Sequence, residues 1–182
     1  KKTKALIVPH LYGQSAEIEK IKKICKKKKV FLVEDCAESF GCFFNQKHLG
    51  TFGEIGTFSF FGSKTITTGE GGMVVTSNKK LANKINKLKT QGVVRKKNDY
   101  WHDIIGYNYR MTNICAAIGL AQLEKKDLIL KKKNNVFNFY KKKLNSDNTR
   151  MNLVIKNSIS SYWQIVIYLK NKKIRDSLKK FL

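Results

Sequence analysis

The sequence has 182 residues, with one proline and four cysteines among them. No apolar run approaches the ~20 residues that a membrane-spanning helix needs. The cysteines (Cys25, Cys36, Cys42 and Cys115) form no CxxC pair and have no histidine at metal-ligand spacing. That pattern excludes a recognisable zinc site and a disulfide framework, so neither is assigned. The opening residues, Lys1-Lys2-Thr3-Lys4 before Ala5-Leu6-Ile7-Val8, offer too short an apolar stretch for a secretory leader, and a cytoplasmic protein is expected. Arginine is scarce: Arg95, Arg110, Arg150 and Arg175 are the whole set. The net charge of +24 is therefore almost all lysine, spread along the chain. Arginine is the preferred reader of phosphates and bases, so this charge is read as the composition of an AT-rich genome, and no nucleic-acid partner is expected. A nucleic-acid binder is the competing class that the charge by itself would suggest.

Hydrophobic residues make up 42% of the chain, enough for a packed core. Strand and helix signals alternate in the first half. Ala5 to Val8 reads as a strand, followed by the loop Pro9 to Gly13. A helix comes next, with Ser15 as N-cap and Ile18, Ile21, Ile24 and Cys25 on one face. Val30 to Val33 reads as a buried strand ending at Glu34-Asp35, which completes a βαβ unit. Strands are predicted over Ile55–Phe61 and Gly72–Thr76, and an amphipathic helix over 79–90 with Leu81, Ile85 and Leu88 inward. Residues 92–111 read as aromatic and irregular. A long helix, straight or kinked, is predicted from Thr112 to Leu144, with Ile114, Ile118, Ala121, Leu128 and Val136 on its apolar side. A loop at 145–148, a strand over 161–169 and a helix from Ile174 close the chain.

In an open parallel sheet, ligands bind at the carboxyl ends of the strands. Asp35 ends one strand, and Ser59 and Lys64 lie at or beyond the end of another, within "GTFSFFGSKTITTGEGG". A carboxylate, a hydroxyl and an amine meeting there suit pyridoxal phosphate. The amine forms a Schiff base with the aldehyde, the carboxylate pairs with the pyridine nitrogen, and the hydroxyl meets the phosphate. Each has a plainer role open to it. Lys64 could extend to solvent past its aromatic neighbours, Asp35 could cap a helix starting at Cys36, and Ser59 could bond to backbone. His10 and His102 are read as packing residues and Glu70 as part of a loop.

Five ordered blocks carry a resemblance: "PHLYGQSAEI", "VEDCAESFG", "GTFGEIGTFSFFGSKTITTGEGGMVVT", "YWHDIIGYNYRMTNICAAIGLAQLE" and "SYWQIVIY". With them the chain resembles the DegT/DnrJ/StrS sugar aminotransferases along nearly its whole length. The resemblance implies an α/β fold-type-I transferase, with a mixed, mostly parallel sheet between helices. Residues 1–125 would be part of the large cofactor domain, and 126–182 a connecting helix and the beginning of a small C-terminal α+β domain. It implies pyridoxal 5'-phosphate as cofactor, glutamate as amino donor and a nucleotide-linked 4-keto-6-deoxy sugar as acceptor, the third block and the fourth being most similar to those of enzymes that use a GDP-linked sugar. Lys64 would hold the cofactor and shuttle the proton, Asp35 would face the pyridine nitrogen, and Ser59 would face the phosphate. Glu38 would lie by the ring hydroxyl, where relatives often carry glutamine. Asn108, with Arg110 close by, would reach the phosphate of a neighbouring subunit in a homodimer with shared active sites. The glycines after Lys64 would let the chain pass close to it. A dehydratase of the same fold is disfavoured, since such relatives look as though they replace the lysine by histidine.

Members of this family are longer. The resemblance therefore implies an internal stretch, lacking a Gly-Thr phosphate-binding segment, an aromatic residue that stacks on the cofactor ring and much of the small domain. An inactive truncated relative is the alternative it leaves open.

Overall fold

The computed structural model describes residues 2–96, 99–144 and 149–182. The elements are β1 (Ala5–Pro9), α1 (Ile18–Lys28), β2 (Phe31–Asp35), β3 (Phe43–Phe44), β4 (Lys47–His48), β5 (Ile55–Ser59), β6 (Gly72–Val75) and α2 (Lys79–Lys89). After them come β7 (Val93–Lys96), β8 (Asp99–His102), α3 (Asn113–Glu124), α4 (Lys126–Lys143), β9 (Thr149–Met151), β10 (Ser158–Ile159), β11 (Ile167–Leu169) and α5 (Lys172–Phe181). The main sheet has the order β1-β2-β5-β6. β1, β2 and β5 run parallel, and β6 returns antiparallel to β5. It is the mixed, mostly parallel α/β sheet expected from the alternating strands and helices.

The core gathers where α1 and the connections between strands meet the sheet. Ile18 and Cys25 of α1 are buried against a cluster that includes Leu32, Leu49, Phe52 and Phe58. Ile21 packs on this cluster, whereas Ile24 is 59% exposed. The inward stripe is 18-21-25, and Ile24 lies about 120° around the helix from Ile18, on the far side of that seam. Ser15 is not the cap either. The helix begins after Glu17, and the Ser15 hydroxyl donates to the neighbouring Ala16 carbonyl. β1 is open to solvent apart from Val8, so this edge strand buries less than its apolar sequence predicts.

The predicted long helix is two helices. α3 opens on Thr112, whose Oγ accepts from the Cys115 amide, and the break falls at Lys125. On α4 the buried face is Phe137, with Ile129 packed on the core, while Leu128 and Val136 are exposed. Residues 92–111, expected to be irregular, contain the antiparallel hairpin β7–β8. The predicted strand 161–169 shrinks to Ile167–Leu169, paired with β9. Tyr162 sits at φ 45°, left-handed backbone that cannot continue a strand. The predicted loop at 145–148 lies outside the described residues.

Candidate active site

Parallel strands place their carboxyl ends on one side, and here those ends carry the candidate residues. Asp35 is the last residue of β2 and pairs in register with Thr57; two residues on, Ser59 ends β5. Beyond Ser59 the chain turns instead of extending to Phe61. The Phe60 amide donates to the Gly71 carbonyl, Thr68 N to Phe60 O, and Lys64 N to Phe61 O at 3.0 Å. Lys64 therefore rides on a closed loop at the strand end. The glycines here differ: a Cβ on Gly62 or Gly69 would meet nothing within 4 Å, and Gly69 is needed for its φ of +79°, whereas a Cβ on Gly71 would stand 2.8 Å from Thr68 Oγ1 and one on Gly72 2.6 Å from the Phe58 carbonyl oxygen.

Helix α3 supports this loop from one side. The Gln122 side-chain oxygen accepts from Thr67 N at 3.0 Å. Trp163 approaches as well. The Lys64 Nζ lies 4.3 Å from the centre of the Trp163 ring, and the indole N–H donates to the Ser63 carbonyl at 2.8 Å. Nothing local in the sequence pairs Trp163 with a lysine 99 positions earlier, and its place beside Lys64 was missed there.

Asp35 does not cap a helix, since none starts at Cys36. One carboxylate oxygen accepts from the Ala37 amide at 3.0 Å, and the other has no hydrogen-bond partner among the described residues. Ser59 Oγ accepts from Phe61 N at a long 3.4 Å. Glu38 accepts from the Tyr12 amide at 2.7 Å, which ties the segment after β2 to the loop after β1. Thr65, beside Lys64, is 6% exposed, and its hydroxyl has no hydrogen-bond partner among the described residues. A buried unpaired hydroxyl costs about 1–3 kcal/mol, the kind of deficit a bound polar group removes. Asn108 is exposed and bridges backbone to Thr90. Arg110 is exposed nearby in sequence.

Immediately behind Asp35 is a polar cluster that sequence reading passed over. Glu34 is fully buried and accepts four hydrogen bonds, from Gly50 N, Phe52 N, Gly53 N and His10 Nε2 at 2.8, 2.6, 2.7 and 3.2 Å. His10 Nδ1 accepts from Ala16 N, so the ring carries its proton on Nε2. Burial by itself would raise the Glu34 pKa; the bonds from His10, Gly53, Gly50 and Phe52 outweigh it and hold the carboxyl below its usual range. Cys36 lies within 4.8 Å of both. Burial pushes its thiol up to about 12, and the lone pairs of His10 and Glu34 are engaged. These are poor conditions for a metal ligand set, and the cluster acts as a clamp under the strand end. A Glu following an apolar strand could have signalled it, but the neighbouring Asp35 reads the same way.

The mixed, mostly parallel sheet packed with helices is the α/β fold of a fold-type-I transferase. Structural neighbours agree. An aminotransferase, TlmJ, from Streptoalloteichus hindustanus superposes with TM-score 0.92 at 25% identity, over 98% of this chain and 49% of that one. Helicobacter pylori PseC, an aminotransferase involved in the biosynthesis of pseudoaminic acid, gives 0.91 at 28%, over 98% and 48%. Residues 1–182 match the DegT/DnrJ/EryC1/StrS aminotransferase family, and the chain belongs to it. It is 48% identical over 181 residues to GDP-perosamine synthase of Escherichia coli O157:H7, covering 100% of this chain and 49% of that protein. Against GDP-perosamine synthase of Vibrio cholerae the identity is 46% over 184 residues, covering 100% and 50%. The chain thus spans about half the length of the curated relatives it matches.

Proposed function

We propose that the product of the complete reading frame is a pyridoxal-phosphate-dependent aminotransferase, moving the amino group of glutamate to a nucleotide-linked 4-keto-6-deoxy sugar. The GDP-linked sugar is favoured, because both perosamine synthases match the whole chain. The observation that carries the reading is the gathering of Asp35, Ser59 and Lys64 at one end of the parallel strands. Their donor set fits the cofactor: an acceptor oxygen on Asp35 for a ring N–H, a hydroxyl on Ser59 for phosphate, and an amine on Lys64 for an aldehyde.

Bound there, the cofactor supplies an electron sink for the bonds at the amino acid's Cα. The chain's residues do the rest. Lys64 Nζ would hold the cofactor and would carry the proton from the Cα of glutamate and return it. Asp35 keeps the ring nitrogen protonated. Glu38, held by the Tyr12 amide, would lie by the ring hydroxyl. Asn108, on the exposed stretch before α3, reaches the phosphate of a second subunit in a homodimer. Glutamate leaves as its 2-oxo acid, and the C4 carbonyl of the sugar becomes an amine for surface polysaccharide such as O-antigen. Residues 1–125 serve as part of the large domain, and 126–182 as the connecting helix and start of the small one. Among the described residues no helix is long and apolar enough to cross a membrane, in keeping with work in the cytoplasm on a soluble nucleotide sugar.

The test is spectroscopic. The purified product should show the near-visible absorbance of lysine-bound cofactor, which glutamate bleaches and GDP-4-keto-6-deoxymannose restores. Lys64→Ala should abolish the band and lower turnover at least about 10³-fold. A wild-type protein without the band sinks the proposal; restoration by a UDP-linked keto sugar alone moves it to another substrate in the family.

A further inference from the structure

We infer, on the reading of Lys64 given above, that Trp163 is a positioning residue that holds the Lys64 amine. The two residues are 99 positions apart, yet Trp163 meets both Lys64 and the residue before it. The Nζ lies 4.3 Å from the ring centre, inside the ~6 Å over which an aromatic face attracts a cation. The indole N–H also holds the Ser63 carbonyl at 2.8 Å, fixing the backbone next to Lys64. A lysine has four flexible side-chain bonds and no preferred direction of its own. One flat face beside the amine and one hydrogen bond to its loop supply that direction.

The segment that brings Trp163 there is itself built in. Ser161 N and Ser160 Oγ both donate to the Gly13 carbonyl, at 3.0 and 2.5 Å. The Cys42 sulfur lies 3.0 Å from the same carbonyl and 3.2 Å from Ser161 Oγ. The Tyr162 ring stacks on Phe137 of α4 with centres 3.9 Å apart and planes 12° from parallel. Lys133 Nζ donates to the Trp163 carbonyl at 3.3 Å. Gly13 makes the docking possible, because a Cβ there would stand 2.5 Å from Trp163 N. The strain is local too: Tyr162 is held at φ 45°, a conformation that a bulky residue keeps only where its surroundings enforce it. A segment clamped on four sides to present one ring to one amine is more than packing requires.

Two measurements decide it. In the holoenzyme, with rates normalised to bound cofactor, Trp163→Leu should keep the lysine-bound absorbance and lose about tenfold in kcat, with KM for glutamate changed less than about twofold. Trp163→Phe, which keeps a ring face, should recover most of that loss. In the cofactor-free protein, an amine-reactive label read by peptide mass spectrometry should modify Lys64 several-fold faster in Trp163→Leu than in wild type, while the exposed Lys80 reacts equally in both. Wild-type kcat in the leucine variant, a phenylalanine variant no better than leucine, or unchanged Lys64 labelling each overturns the role. If leucine does not fold, Trp163→Met takes its place in both assays. Absence of the absorbance band from wild type itself would defeat the cofactor reading instead, and the labelling result would still judge the contact between Trp163 and Lys64.

Discussion

Helices α1 and α3 are nearly equal in length, 11 and 12 residues, and they treat their apolar side chains in opposite ways. α1 is mostly lysine, yet Ile18, Ile21 and Cys25 form one seam, and Ile18 and Cys25 vanish into the core. α3 is apolar nearly all round and has no buried residue: Ile114 is 76% exposed, Leu120 59%, Ile118 44% and Leu123 43%. A helix apolar on every side is one made to be surrounded. Among the described residues, α3 meets the Lys64 loop through Gln122 against Thr67 and Gly119 against Thr68. The part of the molecule that carries Asp35 thus has a buried core against α1, whereas the helix that steadies the Lys64 loop keeps most of its apolar side chains exposed among the described residues.

The sharpest way to break the part with the buried core is at Glu34. Glu34→Ala leaves three backbone amides and the His10 N–H buried without an acceptor. The loss should be about 3–5 kcal/mol of unfolding free energy by denaturant titration. A loss under about 1 kcal/mol would mean that water replaces the carboxylate and that no clamp exists. Ile18→Ala should follow at about 2–5 kcal/mol, the range for emptying a fully buried aliphatic site.

Acid gives a milder handle on the same clamp. The folded-state pKa of Glu34 lies below its unfolded value of 4.5. Its contribution is therefore fully present above the unfolded value and is lost as pH falls through the depressed folded one. Titrating stability from about pH 7 to about pH 3 should show a steeper acid limb in wild type than in Glu34→Gln. Parallel limbs would show that the carboxyl is not held down by its four donors.

What the sequence made legible and what it hid divide along physical lines. Lys64 stood out because a lysine after an aromatic strand and before glycines contrasts with its neighbours over a handful of residues. The strand ends at Asp35 and Ser59 were legible for the same reason, since strands announce themselves locally and parallel pairing aligns their ends. Glu34 was overlooked beside Asp35 because two adjacent carboxylates look alike in sequence; alternation along β2 buries Glu34 and leaves Asp35 half-buried at the strand end. Trp163 was hidden by distance along the chain, as was the docking on Gly13 that breaks the predicted strand. The apolar character of α3 was visible, but an apolar helix asks for cover without saying what covers it. On α4 the stripe was assigned one residue off, since Leu128, Ile129 and Leu130 are equally apolar and only packing chooses among them.

The smallest expected effect is the most informative about α3. Ile114→Ala in the 182-residue chain removes a side chain already 76% exposed. Little transfer free energy is at stake, and alanine is the better helix former, so unfolding free energy should move by no more than about 0.5 kcal/mol in either direction. The contrast with Ile18→Ala is then a direct measure of how differently the two helices are covered. A loss at Ile114 as large as that at Ile18 would show that α3 is buried in solution. If that loss also grows with protein concentration, the cover is a second copy of the chain, because only an intermolecular contact responds to mass action.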